Sequence, residues 1–503
     1  MAISIFPKFQ ILAIFFLFLS LWFIPSTTHL QSDEEGFISV LISSKGLEFA
    51  KNFLIEKALS SMIPLQLSDF EKKVKIPAIG QVQILLSDIT LYSFEIASSD
   101  VETGEGDIVF VAKDAAGNLS MNWAYSYRPR FVPIAISDDG DALVQVEGIK
   151  VEIAVTLKDR DGTLRVSPLH CQCHVKDISI EMDGGASWLY QGVVDAFQWK
   201  IVSAVEDAVC KKVREGIDKL DLLLQSVPKQ KRIDNIASLN ITFVNNPVLS
   251  SSSIELEIDG LFTTNKQIMF SEYYNEGSRR SGFCNHLPRM VEFSLQENVF
   301  NSAAFVYFNT KPMQWIIDNI ADQSILNTAA WRYIVPQLYK QYPDDDMNLN
   351  ISVTSHPIIK VSATGIYVTT PLDVTIDVLE PGAVVPVACI SSVITASCSP
   401  EIRPDNLAGT IKLIDFTASL KWSKIGDLQI HLLEMVMSKL LKTIFFPYVN
   451  LRLMKGFPLS LPYGFTLQHV KILCDNSRVM ICSDVSFKEQ YDLSQLSMST
   501  SLI

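Results

Sequence analysis

SWLYQGVVDAFQWKIVSAVEDAVCKKVREGIDKLDLLLQSVP, residues Ser187–Pro228, carries the longest helical pattern in the chain. Trp188, Val193, Val194, Phe197, Ile201, Ala204, Val205, Ala208, Val213, Ile217, Leu220 and Leu224 recur at steps of three and four, the spacing of one helix face. That face must be buried. Asp195, Lys200, Glu206, Lys211, Lys212, Glu215, Asp218 and Lys219 occupy the other side, so the segment is amphipathic and does not read as a membrane span. Pro228 stops it. A helix of about 40 residues is about 60 Å long, more than a small core can cover, so it is expected to lie along an elongated body and to bend at Gly216. Alternating strands and the run HCQCH (His170–His174) precede it, and Cys210, mid-helix, is placed to be stapled back to that strand.

The chain has 503 residues, 48% of them hydrophobic, which leaves room for two or three domains with sizeable cores. Its formal net charge is −13, of which about −11 falls within residues 32–225. That balance argues against nucleic-acid binding, which needs clustered cations. Residues 1–28 read as a signal peptide: Lys8, an uncharged apolar run from Ile11 to Ile24, then Pro25 and small residues. Secretion would make the sequons at Asn118, Asn240 and Asn350 glycosylation sites and the eight cysteines candidates for disulfides. Hairpin pairings Cys389–Cys398 and Cys474–Cys482 are expected, leaving Cys284 and one of Cys171 and Cys173 unassigned. HCQCH is a poor metal site, because successive strand residues point to opposite faces and its four candidate ligands cannot converge on one ion.

Upstream, Lys45 opens a second amphipathic helix, with Leu47, Ala50, Phe53, Leu54, Ala58, Leu59 and Met62 as its apolar stripe and Pro64 at its end. The stripe reads as core, with a lipid-contacting wall as the alternative. From Val74 to Ile180 the period changes to two, as in Val82–Leu91, Asp107–Ala112 and Leu143–Leu157, which predicts antiparallel sheet. Residues 228–250 read as a linker containing a strand. The second half, 251–503, repeats the order in degenerate form: helices at Asn298–Tyr307, Met313–Asn319, Ala329–Tyr339 and Leu428–Phe446 among strands that close with Gly464–Cys474 and Val479–Phe487.

Six separated blocks resemble the family of bactericidal/permeability-increasing protein and lipopolysaccharide-binding protein. They are ISSKGLEFA (Ile42–Ala50), KKVKIP (Lys72–Pro77), RIDNIASLNITFV (Arg232–Val244), MVEFSLQENVFNSAAFVYF (Met290–Phe308), SATGIYV (Ser362–Val368) and KGFPLSLP (Lys455–Pro462). They come in the family's order and span nearly the whole mature chain. The resemblance implies an α+β fold: an elongated boomerang of two similar half-barrels, 29–227 and 251–503, each a twisted antiparallel sheet around a long helix. A central antiparallel sheet is expected to join them. It also implies an apolar slot in each half holding a phospholipid's acyl chains, no other cofactor, and a disulfide from Cys173 (or Cys171) to Cys210, with Cys173 taken as the partner.

No catalytic constellation emerges: the sequence has no G-x-S-x-G elbow, no P-loop and no HExxH. The expectation is therefore a binder and not an enzyme. It would be secreted, monomeric, take lipopolysaccharide and phospholipid as partners, and act in innate defence; phospholipid or neutral-lipid transfer without lipopolysaccharide specificity is the alternative. Lys72, Lys73 and Lys75 match a basic block of the family, and Arg128 and Arg130 follow the alternating rings Trp123, Tyr125 and Tyr127. These are the candidate lipopolysaccharide-headgroup cations and apolar tip, since Trp and Tyr suit an acyl-headgroup boundary and Arg forks onto phosphate. The acidic first half is a departure from the strongly basic one of the bactericidal member, which puts wholesale adhesion to anionic surfaces in question.

Overall fold

Long strands dominate the computed structural model, which describes residues 36–488 apart from 77–78, 105, 130–133, 185–186, 265–283, 285–287, 311–312, 319–322, 404–405 and 459–464. The leader and Arg130 lie outside the described residues. The chain divides into two units: Ile42–Val227 with Asn246–Leu256, and Pro228–Asn245 with the chain from Glu257 onward and the residues just before Ile42.

After β1 (Ile38–Ser43), most of which belongs to the second unit, the first unit follows the order α1 (Ser44–Met62), β2 (Leu65–Gln66), β3 (Phe70–Ile76), β4 (Gly80–Glu95), β5 (Ser98–Thr103), β6 (Ile108–Tyr127), β7 (Ile136–Arg160), β8 (Thr163–His174), β9 (Asp177–Met182) and α2 (Ser187–Gln225). Ser43 caps α1 by accepting from the Gly46 N–H at 3.3 Å. The eight-stranded sheet runs β2-β4-β6-β7-β8, with β3 on β4, β5 on β6 and β9 on β7, and each of these pairings is antiparallel. Register shifts interrupt β4/β6 between Ser87 and Thr90 and β6/β7 between Ala112 and Ala115. Asp88 and Asp114 take positive φ there. Such bulges bend strands too long to stay flat and curl the sheet. Gly140 has a specific reason to be glycine: a Cβ there would stand 2.8 Å from both the Asp183 carbonyl and the Trp123 ring.

The expected stripe of α2 is real. Phe197, Ile201, Val205 and Val209, four residues apart, are at most 2% exposed and join Val82, Ile84, Leu86, Met121 and Trp123 in one core. Two acids on its other side turn out to be docking groups: Glu206 accepts the Val175 N–H at 2.9 Å and Asp221 the Val166 N–H at 3.0 Å. They satisfy backbone donors that helix and sheet would otherwise leave bare.

In chain order there follow β10 (Gln230–Arg232), β11 (Ala237–Asn240), the hairpin β12 (Val248–Ser250) and β13 (Ser253–Ile258), β14 (Phe262–Thr264), β15 (Val291–Gln296) and α3 (Glu297–Thr310). After them come β16 (Gln314–Ile317), α4 (Pro336–Gln341), β17 (Asp346–Val353), β18 (Ile358–Ser362), β19 (Gly365–Glu380), β20 (Ala383–Arg403) and β21 (Asn406–Ser423). A helical stretch from Ile430 to Leu453 has a π turn at Leu441–Phe445 between α5 (Ile430–Leu440) and α6 (Phe446–Leu453), and β22 (Phe457–Pro458), β23 (Phe465–Asp475) and β24 (Arg478–Phe487) close the order. The second unit's seven-stranded sheet runs β16-β17-β19-β20-β21-β22, with β18 on β19. Leu433, Met437, Leu440, Leu441 and Phe446 of the helix are buried over it.

Three expectations change here. Ala329–Tyr339 is not one helix: a 3-10 turn at Thr328–Trp331 is separated from the short helix α4, which Pro336 opens. Within the helix expected at Met313–Asn319, Gln314–Ile317 is instead a strand paired with Leu349–Ser352, because Trp315 and Ile317 alternate against a sheet edge that can take them, and Asn319 lies outside the described residues. β20, the longest strand of this unit, was not foreseen, since it reads as a nearly continuous apolar run without period. The fold is α+β with curled antiparallel sheets around helices.

Candidate functional site

Between α1, α2 and the ends of β6, β7 and β8, the first unit encloses a cavity of about 300 Å³. Its walls are Leu54, Ile55, Ala58 and Met62 of α1, Ile108 and Phe110 of β6, Ile153, Val155 and Leu157 of β7, Val166 of β8, and Val213, Ile217, Leu220, Leu223 and Leu224 of α2. The cause lies in how α2 is used. Its first half is packed tightly onto the sheet through Phe197, Ile201 and Val205, whereas the second half and α1 stand far enough from the strands to leave a gap. Gly216 lines that gap, and a Cβ on it would meet no atom within 4 Å. An open apolar volume of this size favours an apolar guest, because emptying it of water releases surface that water solvates poorly.

The polar members of the lining are few: Lys51, Lys57, Ser61, Lys212, Glu215 and Lys219. Lys51 is 2% exposed; its Nζ donates to Glu48 and, at 2.5 Å, to the Ser99 carbonyl, so it belongs to the wall. Lys212 donates to Glu215 at 3.0 Å. Lys212 and Lys219 are exposed and Lys57 half-buried, which puts them at the mouth. Lys57 also stands 5.7 Å from the Phe53 ring. Lys212, Glu215, Gly216 and Lys219 are spaced i, i+3, i+4 and i+7, so one stripe beside the apolar face carries them all. That spacing could have flagged the mouth in the sequence.

The proposed basic tip is split by the pleat. On β3 exposure alternates, with Lys73 and Lys75 outward and Lys72 half-buried toward α2. Register aligns Val74 with Val82 and Val82 with Tyr127, so exposed Arg128, one residue on, continues the row of Lys75 and Gln81. Lys75 and Arg128 thus sit about 10 Å apart, two strand spacings. Lys72 reaches the Ala196 carbonyl at 3.4 Å and lies 6.0 Å from the ring of Trp199. Trp199 is 61% exposed and has Lys200 at 5.9 Å as well. It is the exposed ring at this end, and the sequence reading missed it because it lies off the apolar stripe of α2.

Trp123, Tyr125 and Tyr127 do not form an apolar tip. They stack along β6 at centroid distances of 6.0 and 6.2 Å, but on the inner face opposite Leu86, Ile84 and Val82. Trp123 is 1% exposed and donates its indole N–H to the Asp141 carbonyl at 3.0 Å. Burial, with Asp138 and Tyr127 adding, pushes the Tyr125 hydroxyl above its ordinary value. Alternate residues share a face, and on this strand that face is core.

The helix disulfide joins Cys171, not Cys173, to Cys210. Cys173 is left free beside Glu206, where burial first and that carboxylate second push its thiol up to about 12. A second disulfide links Cys284 and Cys482. Cys389 and Cys398 cannot pair, being nine residues apart on the single strand β20, about 30 Å in extended chain. Cys474 pairs in register with Val479 and Cys482 with Lys471, so that hairpin link is excluded too. Of the sequons, Asn118 lies mid-strand in β6, Asn240 accepts from the Thr242 hydroxyl at 2.6 Å, and Asn350 accepts from Gln314 at 2.8 Å; all three are half-buried.

The corresponding place in the second unit is nearly filled. Among its lining residues are Leu349, Ile351, Met437, Leu440, Leu441 and Phe445, and they leave about 20 Å³, room for about one water. The π turn carries Leu441 and Phe445 into that position.

Family models described as the LBP / BPI / CETP family, N-terminal domain, and the LBP / BPI / CETP family, C-terminal domain, match residues 46–227 and 231–487. An Arabidopsis thaliana protein named for the BPI/LBP family is 46% identical over 94% of this chain and 96% of its own length. Bactericidal permeability-increasing protein of Sebastes schlegelii is 24% identical over 90% and 95%, and human lipopolysaccharide-binding protein 24% over 84% and 87%. The crystal structure of a lipopolysaccharide-binding protein superposes with a TM-score of 0.65 at 22% identity, covering 91% of this chain and all of that one.

Proposed function

This chain belongs to the LBP / BPI / CETP family, and on that premise we propose that it is a secreted lipid-binding protein, not an enzyme, which holds a phospholipid by its acyl chains in the first unit's cavity. The observation that carries the reading is the cavity of about 300 Å³, apolar along its walls and polar only at its mouth. Acyl chains suit such a wall, since each buried methylene contributes about 0.8 kcal/mol without asking for a directed contact. The test uses Gly216, whose missing side chain is part of the cavity. Protein purified without detergent and incubated with phosphatidylcholine vesicles is expected to show an adduct of phospholipid mass in native mass spectrometry. Gly216→Phe is expected to remove the adduct without lowering the melting temperature. A parent protein that carries no lipid after incubation overturns the proposal.

The finer reading is recognition of lipopolysaccharide in defence against bacteria, through Lys73, Lys75 and Arg128 on the outer face of the sheet and Trp199 between Lys72 and Lys200. Lipid A sets phosphates above acyl chains, and cations beside an exposed ring match that order. Screening confines the repulsion from the unit's negative charge to about 8 Å at physiological salt. Changing Lys73, Lys75 and Arg128 together to Ser is expected to abolish binding to lipopolysaccharide micelles and leave the cavity lipid in place. Unchanged binding would favour the second reading, phospholipid transfer without lipopolysaccharide specificity, which the acidic charge of residues 32–225 also supports.

A further inference from the structure

We propose that Cys398 and Cys474, both free thiols in the structure, are joined in the oxidised protein by a further disulfide that staples the long strand β20 to the closing strand β23. The two cysteines line one open cleft of about 390 Å³, together with Gly365, Ile366, Tyr367 and Ile472. In register, Cys398 stands opposite Ile366 of β19 and Cys474 opposite Val479 of β24. Ile366 and Val479 belong to one small core, and Cys398 and Cys474 both pack against it. Two antiparallel strand pairs thus meet over the same core, and each contributes a cysteine to it.

The sulfurs are near enough to feel each other. Burial first, and then the charge that Cys474 would carry, push the Cys398 thiol above its ordinary value; burial alone does so for Cys474. Thiols held neutral give the reduced pair no thiolate stabilisation, and such stabilisation is what makes a disulfide easy to reduce. Among the described residues no group of three or more His, Cys, Asp or Glu could hold a metal ion, so pairing of the two thiols is the chemistry this cleft offers. The step is an exchange with a small disulfide such as oxidised glutathione. One cysteine sulfur, as thiolate, bonds to a glutathione sulfur and expels the other glutathione as thiol; the second cysteine sulfur then displaces the bound glutathione. Two cysteine thiols are oxidised while one glutathione disulfide is reduced to two thiols, so electrons and protons balance. The disulfides Cys171–Cys210 and Cys284–Cys482 already make this a chain that needs an oxidising environment.

The full-length protein provides the test, incubated with a mixture of reduced and oxidised glutathione, alkylated under denaturing conditions and digested without reduction. Thermolysin separates Cys389 from Cys398 by cutting before Val393 and Ile394, and trypsin cuts after Arg478, between Cys474 and Cys482. Mass spectrometry is expected to recover Cys398 joined to Cys474 beside the two disulfides of the structure, with alkylation at Cys173 and Cys389 only. Cys398→Ser is expected to take alkylation of Cys474 from near none to near complete, and Cys389→Ser to leave the link in place. The parent map decides the matter even where a serine variant fails to fold. Recovery from the parent of Cys398 or Cys474 as an alkylated thiol, as a mixed disulfide with glutathione, or joined to any other cysteine overturns the proposal.

Discussion

Trp123 shows how one residue can be read correctly by type and wrongly by place. An aromatic that alternates with Tyr125 and Tyr127 ahead of Arg128 suits a membrane boundary, yet its neighbours in space, not in sequence, decide its role. Leu86 on β4 and Gly140 on β7 close over the ring, and the Asp141 carbonyl takes its N–H. Trp123→Ala is expected to cost about 3 to 5 kcal/mol of stability, as for other large buried side chains, measured by denaturant unfolding. A loss below about 1 kcal/mol would return the ring to the surface. Trp199 is the reverse case: it stands off the apolar face of its helix, and its exposure between Lys72 and Lys200 is what gives it a possible partner.

At the scale of elements, α2 was legible almost to the residue because a 3.6-residue repeat over ten turns leaves little freedom. Its tie to β8 was legible only in part. Cys171 and Cys173 share a strand face, so pattern alone cannot choose between them; the register of β8 on β7, with Cys171 opposite Ile153 and Cys173 opposite Val151, brings Cys171 to Cys210. The link closes a loop with a sequence separation of 39. Cys210→Ser is therefore expected to lower stability by about 3 to 4 kcal/mol in the chain-entropy account, and Cys173→Ser to leave the disulfide map unchanged. A non-reducing peptide map that recovers Cys173 joined to Cys210 would overturn the assignment.

Over the whole chain, two units of related build differ in what they leave empty. The first keeps about 300 Å³ beneath α1 and α2; the second fills the like position with Leu441 and Phe445 down to about 20 Å³. An apolar slot in each half was the expectation; beneath the helices the first unit's is open and the second unit's like position is nearly filled. Native mass spectrometry of the intact chain is expected to show one phospholipid per chain. Two adducts would mean that Leu441 and Phe445 move aside for a guest.

The sequence by itself determined the succession of helix, strands and long helix in the first unit, and the family blocks that run from Ile42 to Pro462, because periodicity and turn residues act over short spans. Tertiary structure alone decided which of two cysteines is bonded, which rings are core, and where the cations stand. Each of those depends on contacts between residues far apart in the chain: β4 lying on β6, α1 facing α2 across the gap at Gly216, and the π turn swinging Phe445 inward. A cavity is the extreme case, since it is the space that many distant side chains fail to fill, and no local pattern records it.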